Sequence, residues 1–320
     1  MDNQPKIWVL ADDRAGNVNQ ALGLAEALEL PFETKKIVYT KSAGLPNFLR
    51  GSSLIGVNLA DSSEIKAPWP DIIIAAGRKT GPIARYIKKM SGGKSKIVQL
   101  MLPGFPSGDF DLIVTPKHDG FSNNKKIINT IGATNRITME KISHDKEKWQ
   151  AKFANLPKPR IALLIGGTTK KGTFTIEHAL DLADKASKFA NSKGGSLLIT
   201  NSRRTGDEAT RILKEKITAK FHFHDFNSKD ENPYFGYLGI SDAIIASGDS
   251  ISMCSEACST GKPVYIYAPA DITPEKHQNF HKNLYTNGYA KPLTGEWVAW
   301  NNKTLCDTND IAQIIKKIYC

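Results

Sequence analysis

Asp71-Ile72-Ile73-Ile74-Ala75-Ala76-Gly77-Arg78-Lys79-Thr80-Gly81-Pro82 reads as a strand, a polar turn and the first turn of a helix. The run from Ile72 to Ala76 has no polar interruption. That suits a strand covered by helices on both faces, as in a parallel sheet, and not the alternation of a half-exposed antiparallel strand. Gly77 ends the run, and Pro82, which has no N–H to leave unpaired, fits the start of a helix. The same alternation continues on either side. Strand-like runs cover Ile7 to Ala11, Lys36 to Tyr39, Lys96 to Met101 and Asp111 to Thr115, with a helical pattern from about Asn17 to Leu28. Beyond Asp145 the chain becomes charged and meets Asn155-Leu156-Pro157-Lys158-Pro159. Two prolines there block both a helix and a central strand, which makes this segment the expected linker.

A second series follows it. Strands are expected at Arg160 to Ile165, Ser196 to Thr200, Lys220 to His224, Ala243 to Ala246 and Val264 to Tyr267. Helices are expected from about Thr175 to Ala190, from Asp207 to Lys216 and through Glu256. Asn309 to Ile318 places Ile311, Ile314, Ile315 and Ile318 on one helical stripe that can cross back to the first domain. The pattern implies an α/β protein of two Rossmann-type, doubly wound parallel-sheet domains, residues 1–155 and 160–304, with a helix of about 305–320 returning to the first.

Length and composition agree with that reading. The 320 residues exceed the usual single-core size, and 40% hydrophobic with 23% charged residues describe a globular chain of formal net charge +11. Cys254, Cys258, Cys306 and Cys320 sit at irregular spacings in the last quarter, which fits a reducing compartment rather than a disulfide framework. Neither a signal peptide nor a membrane-spanning stretch is visible, so a cytoplasmic location, peripheral at a membrane if attached at all, is expected. The excess of cations suits phosphorylated small molecules and anionic lipid alike. Basic residues are spread as Lys-Lys pairs without an aromatic-interleaved stripe, and a nucleic-acid partner is not expected.

In open parallel sheets ligands bind beyond the carboxyl ends of the strands. In the first half those ends are Ala11-Asp12-Asp13-Arg14-Ala15-Gly16-Asn17, Gly77-Arg78-Lys79-Thr80, and Pro116-Lys117-His118-Asp119-Gly120. Arg78 and Lys79 beside a helix N-terminus suit an anion, and His118 next to Asp119 can supply a general base. In the second half, Gly166-Gly167-Thr168 lets a ligand or backbone approach closely, and Arg203-Arg204 suits phosphate oxygens. Asp249-Ser250-Ile251-Ser252-Met253-Cys254-Ser255-Glu256 places Ser250 as a helix cap facing a diphosphate and Glu256 two turns on, where a carboxylate can hold a ribose diol. The stretch Gly167 to Phe174 fails as a Walker A loop because Thr173 and Phe174 replace the lysine and the magnesium-binding hydroxyl. His277 and His281 are four apart without a zincin glutamate, Cys254 and Cys258 read as core, and no metal or cofactor is expected.

Taken together, the strings Ala11 to Asn17, Gly77 to Thr80, Leu102-Pro103-Gly104-Phe105-Pro106, Thr115 to Asp119, Ser202-Arg203-Arg204-Thr205, Asn232-Pro233-Tyr234-Phe235 and Asp249 to Ala257 resemble the mitochondrial fission ELM family over nearly the whole chain. The resemblance implies a GT-B-like fold, two Rossmann-type domains facing a cleft. More distantly, Ser250 to Pro263 is similar to the donor segment of GT-B glycosyltransferases that act on lipid-linked acceptors. It implies ribose at Glu256 and diphosphate near Gly166 and Gly167. The chain departs from many of those enzymes in having only Gly16 after its first strand.

The implied function is metal-independent transfer from a nucleotide-sugar donor to an unidentified acceptor, lipid-linked or at an anionic membrane surface. Gly166, Gly167, Thr168, Arg203, Arg204, Asp249, Ser250, Ser252 and Glu256 are expected on the donor. Arg14, Gly16, Asn17, Arg78, Lys79 and Thr80 are expected on the acceptor, with Asp13, His118 and Asp119 as catalytic groups. A nucleoside-diphosphate-sugar epimerase and a non-catalytic membrane-surface scaffold are the alternatives.

Overall fold

All strands in the described residues, 4–120, 125–298 and 300–320 of a computed structural model, run parallel to their sheet neighbours. In chain order the elements are β1 (Ile7–Ala11), α1 (Ala15–Ala27), β2 (Phe32–Lys36), α2 (Asn47–Arg50), β3 (Ile72–Ala76), α3 (Gly81–Met90), β4 (Lys96–Leu100), β5 (Leu112–Pro116) and β6 (Ile127–Thr130). There follow α4 (Met139–Gln150), β7 (Arg160–Leu164), α5 (Ile176–Asn191), β8 (Ser196–Thr200), α6 (Asp207–Lys216), β9 (Lys220–His224), α7 (Tyr234–Ile240) and β10 (Ala243–Ser247). The chain closes with α8 (Ile251–Ser259), β11 (Val264–Tyr267), α9 (Glu275–Thr286), β12 (Lys291–Pro292) and α10 (Asp307–Tyr319). Two six-stranded sheets result, ordered β2-β1-β3-β4-β5-β6 and β12-β11-β10-β7-β8-β9.

The chain forms two compact units, Met1–Arg136 with Cys306–Cys320, and Ile137–Leu305. In the first, the uninterrupted apolar runs have a simple cause. Ile7, Val9, Ile72 and Ile74 face α1 and α10, whereas Trp8, Leu10, Ile73 and Ala75 face Ile83, Ala84 and Ile87 of α3. Alternate side chains point to opposite faces of a strand, so a sheet with helices on both sides needs apolar residues at every position. Ile311, Ala312 and Ile315 bury α10 against Ala21, Leu24 and Ala25 of α1, while Ile318 at the end of the stripe stays exposed. The Asp307 carboxylate fixes the helix start by accepting N–H bonds from Ile131 (3.2 Å) and Gly132 (2.6 Å).

Two placements differ from the sequence expectation. The second strand lies at Phe32–Lys36 and not at 36–39, because it is an edge strand with Glu33, Thr34 and Lys36 exposed, and so lacks the two-faced apolar signal. The prolines at 157 and 159 lie inside the second unit, ahead of β7, and the units divide between Arg136 and Ile137. Helix α4 joins the second unit through Trp149, which stacks on Phe153 and lies where any side chain at Gly236 of α7 would have to go.

Candidate functional site

Strand order reverses beside β7 in the second sheet: β8 and β9 lie on one side of it, β10 to β12 on the other. Neighbouring loops separate at such a reversal and leave a crevice at the carboxyl ends of the strands. Gly166 and Gly167 follow β7 there. A Cβ at Gly166 would overlap the Asp249 carboxylate, and one at Gly167, whose φ is +139°, would overlap the backbone of Arg204. Only glycine admits this packing.

The loops after β7, β8 and β10 are bound into one piece. The Gly166 N–H donates to Ser247 Oγ (2.6 Å), and its carbonyl accepts from Ser202 Oγ and Thr205 Oγ1, both at 2.6 Å. The Gly167 N–H donates to Asp249 Oδ2 (3.0 Å), which also holds the Arg204 guanidinium at 2.6 Å. Thr168 exchanges bonds with Arg204, its N–H donating to that carbonyl (2.9 Å) and its own carbonyl accepting from the guanidinium (3.1 Å). Its hydroxyl accepts from the Phe174 N–H (3.1 Å), and Arg203 is exposed beside this piece.

Ser250 caps α8, accepting from the Met253 N–H at 3.4 Å, with Ser252 in the first turn. Glu256 lies two turns in, 8% exposed, and takes a hydrogen bond from the Tyr234 hydroxyl. Burial raises its pKa from 4.5 to about 7, against the hydrogen bond from Tyr234 and the charge of Lys141, which both favour the carboxylate. A buried acid poised near neutrality can accept hydrogen bonds from a diol when ionised.

The first sheet reverses between β1 and β3, and the loops meeting there are those of Asp12 to Asn17 and Gly77 to Thr80. Lys79 pairs with Asp13 at 2.7 Å, and the Asn17 amide donates to Asp12 Oδ2 at 2.7 Å. Of the other residues expected on the acceptor, Thr80 and Arg78 have polar groups bonded within the unit and Gly16 lies in a helix. The Thr80 hydroxyl is buried and donates to the carbonyls of Ala76 and Gly77, Gly16 stands in the first turn of α1, and the Arg78 guanidinium donates to the Leu45 and Gly44 carbonyls at 2.8 and 3.3 Å. Arg14 is the exposed residue before α1 and does not cap it with its side chain. His118 and Asp119 form the turn after β5, with His118 Nε2 3.7 Å from Asp119 Oδ1 and the Thr115 hydroxyl donating to Asp119 Oδ2 at 2.8 Å.

Sequence reasoning missed Tyr234, Ser202, Thr205 and Lys262. The signal for Tyr234 was present only as part of the Asn232 to Phe235 string, because nothing local connects it to a glutamate 22 residues away. Lys262 is half-buried and donates to the carbonyls of Leu238, Gly239 and Ser241 at the end of α7, and desolvation lowers its pKa to about 8. Cys254 and Cys258 are buried as expected, and His281 packs under Gly248. His222 shares a 2.5 Å hydrogen bond with the Tyr237 hydroxyl and packs on Phe153. No group of metal-ligating side chains occurs among the described residues, and no helix there is long and apolar enough to cross a membrane.

The sequence profile described as mitochondrial fission ELM1 matches residues 15–319. The chain belongs to this family. Among its relatives, "Uncharacterized protein RP120" of Rickettsia prowazekii (strain Madrid E) is 34% identical, over 97% of each chain. "Mitochondrial fission protein ELM1" of Arabidopsis thaliana is 29% identical, over 86% of this chain and 70% of that one. Among solved structures, the UDP-GlcNAc 2-epimerase of Neisseria meningitidis bound to UDP-GlcNAc superposes with a TM-score of 0.51 at 13% identity, covering 98% of this chain and all of that one. At that identity the likeness is one of fold: two sheets of the GT-B type, as in nucleotide-sugar enzymes.

Proposed function

We propose that the second unit binds a nucleoside-diphosphate sugar in the crevice beside β7, and that the protein transfers the sugar without a metal ion. One observation carries this reading. The glycine pair that closes β7 has no room for side chains, and it lies next to the Ser250-capped N-terminus of α8 with the buried Glu256 two turns in. The diphosphate meets the backbone N–H groups at the start of α8 together with Arg203 and Arg204, and Glu256 accepts from the ribose hydroxyls. Asp249 orients Arg204 and the Gly167 N–H, and Ser252 and Thr168 border the phosphates.

In the transfer step an acceptor hydroxyl attacks the anomeric carbon, a general base takes its proton, and the bond from that carbon to the diphosphate breaks with the electron pair leaving on oxygen. His118 with Asp119 is the first choice of base, since each can hold the proton while the other steadies it, and Asp13 is the second. Arg14, which is exposed, meets an anionic acceptor, and Lys79 and Asn17 join it on leaving Asp13 and Asp12. The acceptor's own class, lipid-linked or otherwise, is part of the proposal.

The test is a thermal-shift screen of nucleoside diphosphates and their sugars, followed by product analysis. Free nucleotide released only when an acceptor is present supports transfer, and an interconverted sugar without acceptor supports the epimerase. Stabilisation with no turnover under any condition favours the scaffold. If transfer is found, a His118→Ala, Asp119→Asn double variant keeps nucleotide binding and loses roughly 10²–10⁴ in rate. Wild-type turnover in that variant removes the base assignment.

A further inference from the structure

Four large apolar side chains on the first unit have no place in the reading above. Leu45, Phe48 and Leu49 are 44%, 60% and 58% exposed, and Phe105 is 79% exposed. They sit on two segments that are bound to each other, Leu45 to Leu49 at the start of α2 and the loop after β4. The Asn47 amide donates to the carbonyls of Arg78 (2.8 Å) and Pro103 (2.5 Å), and the Arg78 guanidinium reaches back to the Leu45 carbonyl at 2.8 Å. Scattered exposed hydrophobics are ordinary on a protein surface, whereas a group held together on joined segments marks an interaction surface.

The charges around this group indicate the partner. From Thr40 to Ala60 and from Gly77 to Ala84, the segments bonded to this group, the chain carries four Lys and Arg and no Asp or Glu. Of these cations Lys79 is paired with an acid from another segment, Asp13. Lys41 is exposed at the start of the turn that leads into Leu45, and Arg78 is held by neutral carbonyls that leave its charge uncompensated. An apolar tip set among cations matches the layered chemistry of an anionic bilayer, where acyl chains lie beneath a sheet of phosphates. A groove for a protein segment would shelter the flanks of its lining side chains, whereas Phe48 and Phe105 project.

We propose that Leu45, Phe48, Leu49 and Phe105 dock the protein on an anionic lipid surface, with Lys41 and Arg78 at the level of the headgroup phosphates. The inference does not rest on the donor-site reading, and its test contains no nucleotide. The full chain is floated at low salt with vesicles of phosphatidylcholine alone and of phosphatidylcholine with roughly 30 mol% phosphatidylserine. Wild type binds the anionic vesicles and not the neutral ones, and binding falls as added salt shortens the screening length. A Phe48→Ser, Leu49→Ser, Phe105→Ser variant, whose charge is unchanged, loses roughly tenfold or more of the bound fraction while keeping the wild-type melting temperature. The proposal is overturned if wild type treats the two vesicles alike, or if the triple variant binds as wild type does. Wild type that ignores both vesicles overturns it too, and assigns the patch to a protein partner.

Discussion

Both sheets reverse strand order beside one inner strand, β1 in the first unit and β7 in the second, yet the two crevices are built in different ways. Beside β7 the acceptor groups are buried and bonded to their donors: Asp249 to Gly167 and the exposed Arg204, Glu256 to Tyr234, and the Gly166 carbonyl to two hydroxyls. Beside β1 the corresponding groups stand nearer to water. The Asp13 side chain is 47% exposed in its ion pair with Lys79, and Arg14 leaves α1 without a side-chain cap. A crevice stiffened in advance suits a ligand whose shape is constant, such as a nucleoside diphosphate. An exposed one has side chains free to adjust to a ligand.

The sharpest way to break this contrast is to place a methyl group at a glycine of each crevice. Gly167→Ala drives a Cβ into the Arg204 backbone at a positive φ, and is expected to cost about 3 kcal/mol or more and to abolish nucleotide binding. Gly77→Ala in the first crevice also has a positive φ, but its Cβ meets the far end of the Asn17 side chain, 2.6 Å away, which can turn aside. About 1 kcal/mol is expected there, with nucleotide affinity unchanged. Denaturant titration of both variants checks the difference, and equal losses contradict it.

A second effect follows from Glu256. Burial raises its pKa from 4.5 to about 7, so the folded chain keeps a proton that the unfolded chain has released in that interval. This contribution to stability is complete below about pH 4.5 and is lost as pH rises through 7. On the order of 3 kcal/mol of pH dependence should therefore disappear in Glu256→Gln. Nucleotide affinity should move the opposite way, strengthening by about tenfold from pH 6 to pH 8 in wild type and staying flat in the variant. A wild-type stability profile that matches Glu256→Gln across this range removes the buried-acid account.

The smallest expected effect concerns the helix caps. Ser250→Ala removes the bond to the Met253 N–H and should cost about 1 kcal/mol, whereas Arg14→Ala removes no cap and should stay within about 0.5 kcal/mol. Melting curves of the two variants give the comparison.

The features legible in the sequence were those whose cause is local. β8 and β11 lie at the expected residues, because apolar runs bounded by glycine, proline and polar clusters mark buried strands wherever they fall. Ser250 as a cap and Glu256 two turns later could be read from helix periodicity alone. The edge strand β2 could not, since one solvated side removes the signal, and neither could the position of α4, whose attachment depends on Trp149 meeting Gly236. Side-chain engagements lay further out of reach. Arg78 looked like an anion ligand from its place beside a helix N-terminus, and nothing in its neighbours announced the carbonyls of Gly44 and Leu45. Tyr234 meets Glu256 only because α7 and α8 bring them together.

The central claim is that the crevice beside β7 binds a nucleoside diphosphate through Glu256. Calorimetric titration of uridine diphosphate into wild type, Glu256→Ala and Asp13→Asn tests it directly. The account predicts measurable binding by wild type, a loss of about ten- to a hundredfold in Glu256→Ala, as expected when charge-assisted hydrogen bonds worth roughly 1.5–3 kcal/mol disappear, and no change in Asp13→Asn. Unchanged affinity in Glu256→Ala, or an equal loss in Asp13→Asn, would contradict it.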